Sequence, residues 1–299
     1  VSAAGDAAGD AAALALPAAV ARAPRRLPRV LRRHPGACLG GLLLLAMLGV
    51  AIAAPWLGTI DPATLLPRAR LRDPSAQYWF GTDMMGRDLY SRVIYGARVS
   101  LLIGFTVAGL SCLLGMAIGL VSGFLRGVDG VLMRVMDGIM AIPSILLAIA
   151  LMALLRGSVV TVIIALTVVD VPRVARLVRG VTLSLREEVF VQAAIAAGTR
   201  TPMIILRHIL PNALPPIIVQ ATYLLGSAML AEATLSFIGA GTPPTVPSWG
   251  NIVAEGRTLW QVKPHLIFFP AIFLSLAVLA VNLLGDGLRD ALDPREAER

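Results

Sequence analysis

The sequence predicts an all-α integral membrane protein with six transmembrane helices and both termini on the cytoplasmic side. Three observations predict it. Hydrophobic residues make up 57% of the 299-residue chain and charged residues 15%, whereas a soluble domain is about a quarter charged. Apolar runs recur near 36–57, 99–125, 131–155, 158–178, 213–238 and 266–287, each close to the roughly 20 residues a spanning helix needs. The formal charge is +8, carried almost wholly by arginine because Lys263 is the only lysine. In a membrane protein such an excess marks cytoplasmic segments. No aromatic-interleaved basic surface accompanies it, so it does not read as nucleic-acid binding.

Residues 1–35 are rich in alanine, proline and arginine without an apolar period, and read as a disordered cytoplasmic tail ending in a basic collar from Arg22 to Arg33. The run 36–57 follows as a first membrane anchor. Ala51-Ile52-Ala53 also resembles a signal-peptide cleavage site, although such a core would begin unusually far along the chain. Residues 58–98 form a polar, proline-punctuated outer loop. Within it Arg87, Arg92 and Arg98 recur at about helical spacing with Leu89, Val93 and Ile94 between them, predicting an interfacial helix over 80–98. Residues 99–287 then make a core domain of five further spans. Its 179–212 segment carries Arg179, Arg186, Arg200 and Arg207, in keeping with a cytoplasmic side, whereas the arginines of the first outer loop run against that rule. Residues 288–299 form a cytoplasmic tail.

Catalytic chemistry is missing. A P-loop needs a Gly-Lys-Ser/Thr run, and the only lysine sits in "QVKPH". There is no HExxH, no Gly-x-Ser-x-Gly, and only three histidines, far apart. Cys38 and Cys112 lie in apolar runs and read as buried small residues. The chain therefore reads as a non-enzyme, with no catalytic residue and no cofactor or metal site of its own. Among the few charges in spans, Asp170 and Arg173 are three apart and can pair on one helix face. Glu232 is either part of a transport path or a structural hydrogen-bonding group.

The stretch "QAAIAAGTRTPMIILRHILPN" has its own grammar. Glu187 and Glu188 suit a helix start, Ala193, Ala194, Ala196 and Ala197 leave a small-residue surface, and Gly198 permits a tight turn. Thr201 is the expected N-cap of a second short helix with Pro202 at its first position, and Pro211 is expected to stop it. Residues 186–212 so predict a hinged pair of small helices, which either dock on a partner or lie on the lipid.

This stretch resembles the EAA loop of type I ABC importer permeases: Gln192-Ala193-Ala194, then Gly198, then His208-Ile209-Leu210-Pro211 fall at that pattern's spacing. It departs at Gln192, where glutamate is usual, and at His208, where isoleucine is usual. "FGTDMMGRDLYSRVIYGARVSLLIG" (80–104), "LMRVMDGIMAIPSILLAIAL" (132–151), "AEATLSFIGAG" (231–241), "PSWGNIVAEGR" (247–257) and "NLLGDGLRDALDP" (282–294) extend the resemblance to the C-type subunit of the dipeptide and oligopeptide group. The resemblance implies half of a translocation pathway in a bacterial plasma membrane. Its implied partners are a second permease subunit, cytoplasmic ATPase subunits or a fused double ATPase holding ATP and magnesium, an extracytoplasmic substrate-binding protein, and the bilayer. It implies peptide cargo, with nickel, haem or glutathione as the alternatives. Glu188, Gln192, Ala193, Ala194, Gly198, Thr201, Pro202, Leu206, His208, Leu210 and Pro211 become the expected ATPase contact. Glu232, Gln220, Asn282 and Trp249 are the candidates for the pathway or outer gate.

Overall fold

A computed structural model describes residues 35–155 and 157–292; the 1–34 portion of the expected tail and residues 293–299 lie outside the described residues. Among these the chain is helical, with no strand beyond an isolated antiparallel bridge between Thr82 and Asp88. The longer elements are α1 (Pro35–Ala53), α2 (Leu89–Phe124), α3 (Arg126–Met140), α4 (Ser144–Leu155), α5 (Val159–Arg186), α6 (Val189–Ala196), α7 (Thr201–Ile204), α8 (Leu210–Ile238), α9 (Trp249–Gly256) and α10 (His265–Leu292). Among the described residues four helical stretches are long and apolar enough to cross a membrane, or five if the bent pair α3–α4 counts as one crossing.

The bundle is organised by close helix approach. On α2, Gly115, Gly119 and Gly123 recur every four residues and face α5. A Cβ built at these positions would lie 2.5 Å from Val174 Cβ, 2.6 Å from Val178 Cβ and 2.6 Å from Thr182 Cβ. Without those methyls the two backbones come near enough to pack closely, which is how helices associate where lipid offers no hydrophobic drive. The register advances together along both helices, so α2 and α5 run parallel. Since α2 ends at Phe124 and α5 starts at Val159, residues between them travel the length of the pair. α1 and α10 instead meet antiparallel, with Gly40 against Ala280 and Leu284. α8 and α10 also run antiparallel, with Gly285 against Thr222 and Gly226 near Val278 and Asn282.

Several expectations are corrected in detail. The apolar run 131–155 is two helices meeting at 89°. Pro143 accounts for the break, because a proline biases its preceding residue, here Ile142, away from helical geometry. The expected interfacial helix over 80–98 is not a separate element: 81–88 is a tight turn and Leu89–Arg98 is the opening of α2. Asp88 caps that opening, its Oδ2 accepting the Ser91 N–H at 2.8 Å. Thr201 is not the N-cap of α7; Arg200 holds that place and Thr201 and Pro202 open the helix. Nor does Pro211 stop a helix. Ile205–Ile209 widens into a π turn whose Leu210 N–H reaches back to Ile205 O, and α8 continues from it. A proline inside an α-helix removes one backbone bond; here the wider turn falls directly before the proline, and Asn212 Nδ2 adds a bond to His208 O at 2.6 Å. α10 also runs to Leu292, into the stretch expected to be tail.

Candidate functional site

The 186–211 element is built outward from the end of α5. After Glu187 and Glu188 the chain enters α6, and Val191, Ile204 and Ile209 point inward and are buried. Their neighbours point out: Val189 is 81% exposed and Leu206 62%, and Phe190, Ile195 and Met203 are exposed as well. The element is thus anchored by three aliphatic side chains and presents an apolar face outward. Ala193, Ala196, Ala197 and Gly198 are exposed beside it and Ala194 is half-buried. Gln192 folds back, its Nε2 donating to Arg186 O at 2.9 Å. Leu210, His208 and Thr201 are half-buried, Pro202 and Pro211 exposed, and the His208 ring stands 6.5 Å from that of Phe190.

Gly198 sets the hinge. Its φ is +76°, its N–H donates to Ile195 O at 2.9 Å, and the Thr199 N–H donates to Ala194 O at 3.1 Å. That pair of bonds is the Schellman cap, which requires a left-handed residue after the helix and so favours glycine. Beside the element lies an open cleft of about 630 Å³ lined by Phe124, Arg126, Val128, Arg186, Gln192 and Ile195.

The opposite end of the bundle holds Glu232 and Trp249. Glu232 is fully buried, and its Oε1 accepts from Ser236 Oγ at 2.8 Å, Ser248 Oγ at 2.8 Å and Thr242 Oγ1 at 3.2 Å. Ser248 also caps α9, accepting the Asn251 N–H at 3.1 Å. Asn251 Nδ2 then donates to the Thr242 and Pro243 carbonyls. The knot pins the 239–251 hairpin onto α8. Trp249 is wholly buried, with Nε1 donating to Val93 O at 3.0 Å and its N–H to Ser100 Oγ at 3.1 Å. It therefore fastens α9 to α2 and does not face an opening. Gln220 is half-buried on α8 and Asn282 exposed on α10. The four pathway candidates do not converge on one site.

Sequence reasoning missed a second cluster at this same end of the bundle. Arg87 Nε donates to Asp83 Oδ2 at 2.6 Å and its Nη2 to Glu255 Oε2 at 2.6 Å; Arg92 Nη1 donates to Asp83 Oδ2 at 2.6 Å. Two guanidinium and two carboxylate groups thereby join the turn before α2 to α9. Nearby, Lys263 Nζ lies 2.6 Å from Asp73 Oδ1 and holds that carboxyl below the usual carboxylate range. Among the described residues no cluster of three metal-ligating side chains occurs.

Residues 112–298 match the family model described as the binding-protein-dependent transport system inner membrane component. The chain belongs to this family. It is 48% identical over 270 residues to a probable peptide ABC transporter permease protein of Sinorhizobium fredii, covering 90% of this chain and 92% of the relative. It is 44% identical over 266 residues to the dipeptide transport system permease protein DppC of Alkalihalophilus pseudofirmus, covering 89% and 88%. It is 40% identical over 266 residues to the glutathione transport system permease protein GsiD of Escherichia coli, covering 88% of each. A solved structure of the inward-facing MetNI methionine ABC transporter superposes with a TM-score of 0.57 at 20% identity, covering 68% of this chain and 96% of that one. That likeness carries the fold, a type I ABC importer permease. The protein is a multi-pass inner-membrane permease subunit of an ABC importer.

Proposed function

We propose that this permease forms half of the translocation pathway for dipeptides or short oligopeptides, beside a second, related permease subunit. An extracytoplasmic binding protein delivers the cargo, and ATPase subunits holding ATP and magnesium engage the 186–211 element from the cytoplasm. The observation that carries the coupling is the Gly198 hinge: an exposed apolar face on α6 and α7, anchored through Val191, Ile204 and Ile209, sits directly between α5 and α8. Motion imposed there acts on two long helices at once. A reorientation between two states, biased by ATP, is the physical content of such coupling.

Helix direction supports six crossings. α2 and α5 are parallel, which calls for one return crossing through α3–α4, and the antiparallel pairs α1–α10 and α8–α10 fit the same alternation. An even count leaves both ends on one side, and the arginines of 179–207 favour the cytoplasm.

Peptide cargo rests on the names of the relatives at 48% and 44% identity. Glutathione is the second reading, favoured by the relative at 40%. The test uses the complex purified with its ATPase and binding protein. A panel of di- to pentapeptides should raise ATP turnover several-fold. Stimulation by glutathione alone, or by no peptide, overturns the cargo assignment.

A further inference from the structure

α5 exposes one face in its outer half and another in its inner half. Val160, Ile164 and Val168 are exposed at four-residue spacing, all apolar. Past Pro172 the exposed residues are Arg173, Arg176, Gly180 and Ser184. At ~100° per residue these lie about half a turn round from the first set. The inner set contains no apolar side chain. The side chains of Arg173 and Arg176 are 47% and 53% exposed.

Depth makes this informative. Arg173 is at the midpoint of α5, roughly 21 Å along the axis from Val159. It adjoins Val174, which packs on Gly115 near the middle of the apolar stretch of α2. A charged side chain at that depth is costly against lipid, and such groups face a partner or a water-filled cavity. From Arg173 to Ser184, in the last turn of α5, no exposed position carries an apolar side chain, as on a surface wetted from that end. Arg176 is paired with Asp137 of α3 at 2.6 Å, and Asp137 is itself exposed. Arg173 is held more loosely: Nη1 reaches Asp170 Oδ1 at 3.3 Å, with the Asp170 side chain behind it only 11% exposed. A guanidinium has five donors in a planar fork suited to a carboxylate, and this one engages Asp170 by a single nitrogen.

We propose that the inner half of α5 lines a water-filled vestibule, and that Arg173 at its deep end recognises an anionic group of the passing cargo, the C-terminal carboxylate of a peptide. The carboxylate part rests on the peptide reading above; the vestibule does not. Asp170 is the positioning residue that keeps the guanidinium turned across the path.

Two measurements on the assembled complex in proteoliposomes test it. In a Cys38→Ala, Cys112→Ala background, single substitutions Arg173→Cys, Arg176→Cys, Gly180→Cys and Ser184→Cys should react with a sulfonated, membrane-impermeant thiol reagent. Val160→Cys, Ile164→Cys and Val168→Cys should react at least about tenfold more slowly. Equal rates in both sets, or no reaction at the first set because a partner helix covers it, overturns the vestibule. Arg173→Gln should lower uptake of a free-acid peptide about tenfold, the scale of one charge-assisted contact, spare the C-terminally amidated peptide, and be rescued in part by Arg173→Lys. Equal loss for both peptides overturns carboxylate recognition. If the unaltered complex takes up no peptide, the cargo reading fails and carboxylate recognition with it, while the labelling result still decides the vestibule.

Discussion

Arg92 and Glu255, 163 positions apart, are joined by two hydrogen bonds, one of them from Nη2 to Oε1 at 3.1 Å. Arg92 has a side chain only 1% exposed, against 26% for Glu255. The pair links the first turn of α2 to α9, and Asp83 and Arg87 complete a cluster of two positive and two negative groups. Breaking a buried pair from one side leaves a charge without compensation, which costs about 3–5 kcal/mol. Arg92→Ala leaves two carboxylates on one guanidinium and should approach that range. Glu255→Ala should cost less, because its side chain still meets water. Thermal unfolding of the purified complex checks the order; equal midpoints for Arg92→Ala and the unaltered chain would remove the cluster from the fold's support.

Gly119 faces Val178 and the Ala175 carbonyl, and a Cβ there would fall 2.6 Å and 2.7 Å from them. Backbone cannot yield as a flexible side chain does, so Gly119→Val should separate α2 from α5 and cost about 1–3 kcal/mol or more. Gly109, on the same helix, has nothing within 4 Å of a built Cβ. Gly109→Val is therefore the matched control and should leave the folded yield nearly unchanged. Similar losses in both variants would show that any side chain on α2 is harmful, whatever it faces.

The membrane class and the run of long helices were legible because apolar length is written locally in the chain. The same holds for the Gly198 hinge, whose helix, glycine and following short helix are contiguous. The α3–α4 bend was hidden inside one apolar run, since hydropathy reports length and not direction; Pro143 was its only local signal. Arg87 and Arg92 were read as an amphipathic face because their partner Glu255 lies far along the chain, where no period reaches. The glycine stripe at 115, 119 and 123 carried a readable four-residue spacing that composition alone concealed. Trp249 misled for a different reason: a tryptophan in a loop between two apolar runs suits both a gate residue and a buried rivet, and only packing separates them.

Glu232 gathers three hydroxyls on one carboxylate oxygen, and Gly250 leaves room beside the other. Removing the acceptor strands Ser236, Thr242 and Ser248, each of which loses a buried partner. Glu232→Ala should cost about 2–4 kcal/mol, given about 1–3 for a stranded buried group and the residual bonds among the hydroxyls. Glu232→Gln keeps an oxygen in place and should lose less. Limited proteolysis between residues 239 and 263 reads the loosening directly. Faster cleavage in the alanine variant with cargo preference unaltered supports a structural knot, whereas altered cargo preference at unaltered stability would return Glu232 to the pathway.

Gly198 separates geometry from bulk. Its φ of +76° is a left-handed conformation, yet a built Cβ meets nothing within 4 Å. Any harm from substitution there must come from backbone strain and not from collision. Asparagine tolerates that region and β-branched residues do not. Gly198→Asn should therefore keep most ligand-stimulated ATP hydrolysis in the assembled complex. Gly198→Val should insert and assemble normally yet lose that stimulation, because the Schellman cap opens and α6 no longer holds its angle to α7. Basal ATP turnover and complex yield, measured alongside, separate lost coupling from lost assembly. Normal stimulation in Gly198→Val would detach the hinge from energy transfer, and equal loss in Gly198→Asn would mean that the open space around residue 198 is itself occupied by the ATPase.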